Sequence, residues 1–257
     1  TEQPKNFGFG EDETMLKDSA AKFFADNCSP DKLHGLVAED PNIHRSIECI
    51  WDKQLWQQIT ELGWTAACVP EEAGGLGMPL VAAVAIAEEA GKAAFPSPLI
   101  STMIASFVLK ECHSDAATKA LGDVASGVPM TLAVTNKLGS WEPSDTDVAA
   151  AGTTLNGTAY FVQDAQKCDQ FIVSATTPKG VALFLVDANA AGVSITPDGI
   201  IDLTRDQAHV EFKNVEAIEL AAPGTGEDSL ASALPAIQTI ITADMVGAGE
   251  WLLQTTV

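Results

Sequence analysis

Apolar residues change their period twice along this chain, and that double switch constrains the fold more than any other feature. In the first half they recur at helical spacing: Leu16, Ala20, Phe23 and Phe24, then Trp51, Leu55, Ile59 and Leu62. Residues at i, i+3 or i+4 share one face of a helix, so each set predicts an amphipathic helix with a buried stripe. Gly63 follows the second set where a left-handed helix terminus is expected. The glycine-rich stretch 69–78 predicts a loop, and Pro79 opens an alanine-rich helix read as stopping at Gly91. After the breaker FPSP, helices are predicted over residues 99–111 and 115–126, the last capped by Asp115. That makes five helices before Gly127.

Beyond Gly127 the runs shorten and become β-branched: residues 130–135, 170–175, 181–186, 193–196 and 209–215. Turn formers separate them, so a largely antiparallel β domain is expected. Asn156-Gly157 lies between two apolar runs, a strong signal for a two-residue hairpin turn. From Leu230 helical spacing returns through Leu234, Ile237, Ile241, Met245 and Leu252. No capping glycine, proline or basic last turn closes that helix, so it reads as the first helix of a truncated third domain. The expected architecture is α+β: a helical domain over residues 1–127, an antiparallel β-barrel or sandwich over 128–222, and the start of a C-terminal helical domain over 223–257.

Charge and composition exclude several function classes. The chain has 35 acidic against 14 basic residues, net −21, which repels nucleic-acid phosphates and anionic lipid heads. No run approaches the roughly 18 uninterrupted apolar residues of a membrane span, and the N-terminus is polar and acidic. The expectation is a cytoplasmic protein that binds neither nucleic acid nor membrane. Cys28, Cys49, Cys68, Cys112 and Cys168 are widely spaced, as are His34, His44, His113 and His209, so no metal site is expected.

The segment WDKQLWQQITELGWTAACVPEEAGGLGMP closely resembles a hallmark of the acyl-CoA dehydrogenase family, a Leu-Gly-Trp before a Pro-Glu-Glu-x-Gly-Gly-x-Gly loop. FGFGEDETMLKDSAAKFFAD is similar to the family's opening helix. TLAVTNKLGSW stands where the family has its flavin strand and loop, Thr-Glu-Pro, a spacer, then Gly-Ser-Asp. Thr135, Gly139 and Ser140 match that pattern. Asn136, Lys137 and Trp141 replace Glu, Pro and Asp, and the loop is one residue shorter. Phe161-Val162-Gln163-Asp164 replaces an aromatic-Ile-Thr/Ser-Asn run, with Gln163 where a hydroxyl normally meets the reactive edge of the flavin.

The resemblance implies FAD as cofactor, contacted by Leu132, Val134, Thr135, Gly139, Ser140, Phe161, Val162 and Gln163, and an acyl pocket bordered by Leu99 and Met103. Taken without the resemblance, Thr135, Gly139 and Ser140 would read as a strand end and turn; the neighbouring hallmark segments favour cofactor contact, while ordinary core packing explains Leu99 and Met103 equally well. The resemblance also implies an acyl-CoA substrate, an electron-transfer flavoprotein as electron acceptor, and a homo- or hetero-oligomer with another such subunit. In the family a carboxylate takes the substrate's α-proton while the flavin takes the β-hydride. No acid occurs from Ala231 to Ala243, so the base is unknown, and Asp244 and Glu250 read as a solvated helix face. Gly74, Gly75 and Gly77 follow a helix, so they read as a structural connection and not as a phosphate cradle. Arg205, the only arginine of the β domain, reads as a surface ion pair. Two alternatives stay open: a non-catalytic or FAD-deficient partner subunit, for example for steroid or other bulky CoA esters, and a flavin oxidase or monooxygenase of the same fold.

Overall fold

The computed structural model describes residues 9–38 and 51–257; His44 and Cys49 lie outside them. Helices α1 (Glu11–Asn27), α2 (Pro30–Ala38), α3 (Lys53–Glu61), α4 (Leu80–Lys92), α5 (Leu99–Lys110) and α6 (Asp115–Ala125) precede the sheet. The α2 helix was not anticipated, because its nine residues hold too short an apolar pattern to show a period. Gly63 takes φ +77° just after α3, as its sequence position predicts. The α6 cap is Ser114, whose side chain accepts from the Ala117 N–H, and not Asp115, which lies one residue inside.

Gly91 does not end α4. It lies within the helix, where an added Cβ would fall 2.0 Å from the Asp244 carbonyl oxygen. The partner helix α7 (Gly226–Thr256) presents Gly247 to α4 in the same way, its Cβ position 1.8 Å from the Glu88 carbonyl oxygen. Two missing side chains therefore set how closely α4 and α7 approach.

The β domain is one mixed sheet of eight strands: β1 (Met130–Ala133), β2 (Val148–Ala151), β3 (Thr154–Gln163), β4 (Gln170–Thr177), β5 (Gly180–Asp187), β6 (Val193–Pro197), β7 (Gln207–Glu216) and β8 (Ile218–Ala221). The order is β6-β7-β3-β2-β4-β5-β8, with β1 also on β4. Pairing is antiparallel except where β1 and β2 meet β4. The sheet is not closed into a barrel.

Asn156-Gly157 is not the hairpin turn. It lies inside β3, beside a register shift against β7, and the chain reverses at Gly152 instead. Gly157 (φ +135°) leaves space for the Asp147 carbonyl, which a Cβ would meet at 2.2 Å.

Two buried clusters organise the core. The first joins α1 and α3 to α6, β1 and α7 around Trp64, Ile86, Leu99 and Leu109; the second fills the sheet around Phe171, Phe184, Leu155 and Phe212. The 31-residue α7 contains an 18-residue window with the mean hydropathy (1.3) of a membrane-crossing helix. Here it packs along α4 and α5 through Leu230, Ala233, Ile237, Ile240, Ala243 and Gly247. Of the predicted stripe, Leu234 (39%), Ile241 (37%), Met245 (67%) and Leu252 (57%) stay exposed. Leu230 and Ile237 of that stripe are buried, and Gly247 between them and the C-terminus lets the α4 backbone come close on the packed face.

Candidate functional site at the meeting of helix and sheet

Where α5, the ends of β1 and β3, and α7 converge, they enclose a cavity of about 340 Å³. Ile100, Ser101 and Ile104 come from α5; Thr131, Leu132 and Thr135 from β1 and its extension; Phe161, Gln163 and Asp164 from the end of β3; Ile241 and Asp244 from α7. Arg205 and Trp141 complete the wall. A second cavity of about 390 Å³ lies across Trp141, between Val134, residues 142–144 and the first turns of α7.

The end of β3 is shaped to serve the first cavity. Its register against β7 shifts between Ala159 and Val162, and Phe161 (φ +54°) and Asp164 (φ +53°) take left-handed backbone. Non-glycine residues rarely adopt that region, and such strain concentrates at functional positions. The shift places Phe161 and Gln163 on the cavity wall while Val162 stays buried in the sheet core. Among the described residues, none supplies a side-chain hydrogen bond to Thr131, Thr135 or Gln163. These polar groups are free to meet a ligand.

Of the residues implied by resemblance, Leu132, Thr135, Phe161 and Gln163 line this cavity, and Val134 faces the second. Gly139 and Ser140 lie in the adjoining loop. Leu99 and Met103 are buried in the helical core, because α5 turns its neighbouring face, Ile100 and Ile104, to the cavity. Asp244 is not on a solvated face: both its carboxylate oxygens accept from Arg205 Nη2, at 2.8 and 2.9 Å. Glu250 lies off the cavity and pairs with Lys92 at 3.2 Å. Arg205 and Asp244 stand 39 residues apart in sequence, so no local pattern announces their pairing.

Behind the cavity wall lies a buried charge network. Asp164 accepts from Ser101 Oγ at 2.6 Å and from Lys167 Nζ at 2.9 Å, and Lys167 also pairs with Asp206. Burial opposes the Lys167 charge, but the Asp164 and Asp206 carboxylates outweigh it and hold its pKa above the ordinary lysine value. One cation faces two anions. Burial therefore raises the Asp206 pKa, and Lys167 does not fully offset it. Burial also pushes the Cys112 thiol up to about 12 and Cys28 up to about 11, which leaves both protonated and unreactive near neutrality.

Residues 10–128 match the family model described as acyl-CoA dehydrogenase, N-terminal domain. The acyl-CoA dehydrogenase IpdE2 of Mycobacterium tuberculosis is 31% identical over 118 residues, 46% of this chain and 34% of that protein. FadE27 of the same organism is 28% identical over 218 residues, 82% of this chain and 56% of the relative. The Tcur3481-Tcur3483 steroid ACAD structure superposes with TM-score 0.81 at 26% identity, covering 96% of this chain and 66% of that one. The chain thus spans from a third to just over half of these curated relatives. Its first half matches the N-terminal domain of the acyl-CoA dehydrogenase family, and the chain as a whole has that family's fold.

The family's FAD can be tested against these residues. The cavity wall fits a planar, polar-edged ring, with Phe161 for stacking and three unpartnered polar side chains. The loop carrying Gly139 and Ser140 does not fit a diphosphate, since its backbone N–H groups and the Ser140 hydroxyl are already engaged within the protein.

Proposed function

We propose that this chain is a subunit of an FAD-dependent acyl-CoA dehydrogenase, in an assembly that converts an acyl-CoA thioester to a trans-2-enoyl-CoA and passes electrons to an electron-transfer flavoprotein. The cavity joining α5, β3 and α7 carries this reading, with Thr135, Phe161 and Gln163 on one wall and Ile100, Ile104 and Ile241 on another. Such a mixed lining suits a polar-edged ring beside an apolar acyl group. In the family, the flavin supplies the acceptor for the β-hydride. This chain's own residues bind and orient, and they exclude water from the cleft.

The chain's role is that of a partner that completes the assembly. Proton abstraction needs a carboxylate free to accept, yet among the described residues only Asp164 and Asp244 bring carboxylates to the cavity. Asp164 is held by Ser101 and Lys167, and Asp244 by Arg205. The base is therefore assigned outside the described residues. The uncovered stripe Leu234, Ile241 and Met245 is apolar enough to take a second subunit, either a copy or a homologous chain. A named pair of chains forms the similar steroid dehydrogenase structure, which supports the heteromeric form.

Anaerobic addition of acyl-CoA tests the reading. The isolated chain should leave added flavin oxidised, whereas the chain assembled with its complementary subunit should bleach it. Bleaching by the isolated chain would place the base within this sequence. No bleaching by an intact, flavin-loaded assembly with any acyl-CoA, steroid esters included, would remove the dehydrogenase reading.

A further inference from the structure

The segment between β1 and β2 passes between the two cavities, and every backbone N–H from Asn136 to Ser140 is engaged from within. Asn136 is 8% exposed and turns its side-chain oxygen back over the loop, accepting from the Leu138 and Ser140 N–H groups, each at 2.9 Å. The Gly139 N–H donates to the Asn136 carbonyl at 3.0 Å. The Lys137 N–H donates to Asp147 Oδ2 at 2.8 Å, and the Ser140 hydroxyl to Asp145 Oδ2 at 2.6 Å. Asn136 is itself locked, its Nδ2 donating to the Asp145 carbonyl at 3.1 Å.

Backbone N–H groups converging on one oxygen form a nest, an arrangement that ordinarily receives an anion. Here an amide oxygen occupies the nest and two carboxylates occupy the donors beside it. The surroundings oppose an incoming anion as well. Lys137 is the only basic residue between positions 120 and 166. Glu142, Glu227 and Asp228 rim the cavity on the other side of Trp141. Within a Debye length of about 8–10 Å, such carboxylates repel a phosphate and are only partly screened.

Resting on the acyl-CoA dehydrogenase reading, we propose that the 136–140 loop carries its own surrogate anion. Asn136, Asp145 and Asp147 take the donors that would hold the diphosphate of FAD, so the diphosphate adds no affinity to this chain. Flavin held by the chain is held through its ring, against Thr135, Phe161 and Gln163. The same loop becomes a diphosphate site when the internal carboxylates are removed, because Lys137 N–H and Ser140 Oγ are then released and two negative charges are lost.

Riboflavin has the ring without the diphosphate, so comparing it with FAD isolates the claim. Titrating both into the purified chain, followed by flavin fluorescence, should give dissociation constants within about threefold of each other, or no binding of either. In Asp145→Ala/Asp147→Ala, FAD should bind at least about tenfold more tightly than riboflavin. If the double variant fails to fold, Asp145→Asn, a smaller change at an exposed site, takes its place with the same direction expected. A wild-type chain preferring FAD by about tenfold or more overturns the proposal. A folded variant in which FAD gains nothing over riboflavin also overturns it. Neither titration involves substrate, so their failure is distinct from a failure of the assembly to bleach.

Discussion

Arg205 and Asp206 are neighbours in sequence, yet they serve ion-pair systems of different kinds. Asp206 turns inward to Lys167, whose side chain is 1% exposed, in a network that ties the end of β3 to α5 and to the segment before β7. Arg205 turns across the cavity to Asp244 on α7, and both partners keep about a fifth of their side-chain surface in solvent (24% and 19%). The first network holds charge where water cannot relieve it. The second remains wet at the edge of a cavity. Burial, more than distance, should separate them energetically, because desolvation makes a broken buried pair costly and solvent screens an exposed one.

The sharpest contrast comes from Lys167→Met. Removing the only cation leaves the Asp164 and Asp206 carboxylates buried together, and the expected destabilisation is about 3–5 kcal/mol by urea unfolding near pH 7. Much of that loss should be recovered at acid pH, where the carboxylates protonate. A loss below about 1 kcal/mol would show that water reaches the network and would erase the distinction.

Asp206→Asn probes the uncompensated charge within the same network. The folded-state Asp206 pKa lies above its ordinary value of 3.8, so the folded state binds more protons between those two values. Stability from this group is fully present below pH 3.8 and is lost as pH rises through the raised pKa. The variant should lack that decline. Between pH 4 and 7 it should gain stability relative to the parent. A parent that becomes more stable relative to the variant over this range would reverse the sign and assign the excess charge elsewhere.

Arg205→Ala is expected to have the smallest effect, a stability loss of about 1 kcal/mol or less. Its consequence should be local: Asp244 loses its partner at the cavity edge, and ligand binding changes more than the unfolding midpoint. A loss matching that of Lys167→Met would mean that the two systems form one network.

Much of the fold was legible because short-range physics decides it. The β-branched runs at 130–135 and 170–175 became strands, and the Leu-Gly-Trp segment became the end of α3 followed by a left-handed glycine. The cavity wall was partly legible through resemblance, in Leu132, Thr135, Phe161 and Gln163. The adjoining loop was harder to read. Thr135, Gly139 and Ser140 keep the family's residue types, but Asn136, Asp145 and Asp147 decide whether the loop's donors are free, and two of those three lie beyond the resembling stretch.

Local sequence determined where helices and strands form, because periodicity and turn chemistry act within a few residues. Tertiary structure decided the rest by placing distant backbone. The Asp147 carbonyl reaches Gly157, turning an apparent hairpin signal into a bulge in β3. The α4 backbone reaches Gly247, so α7 packs through Leu230, Ile237 and Ile240 while Leu234, Ile241, Met245 and Leu252 of the apolar stripe stay exposed. Arg205 met Asp244 and Lys167 met Asp206 only once the sheet and α7 were assembled, since attraction between charges depends on separation and burial in space, which sequence spacing alone does not encode.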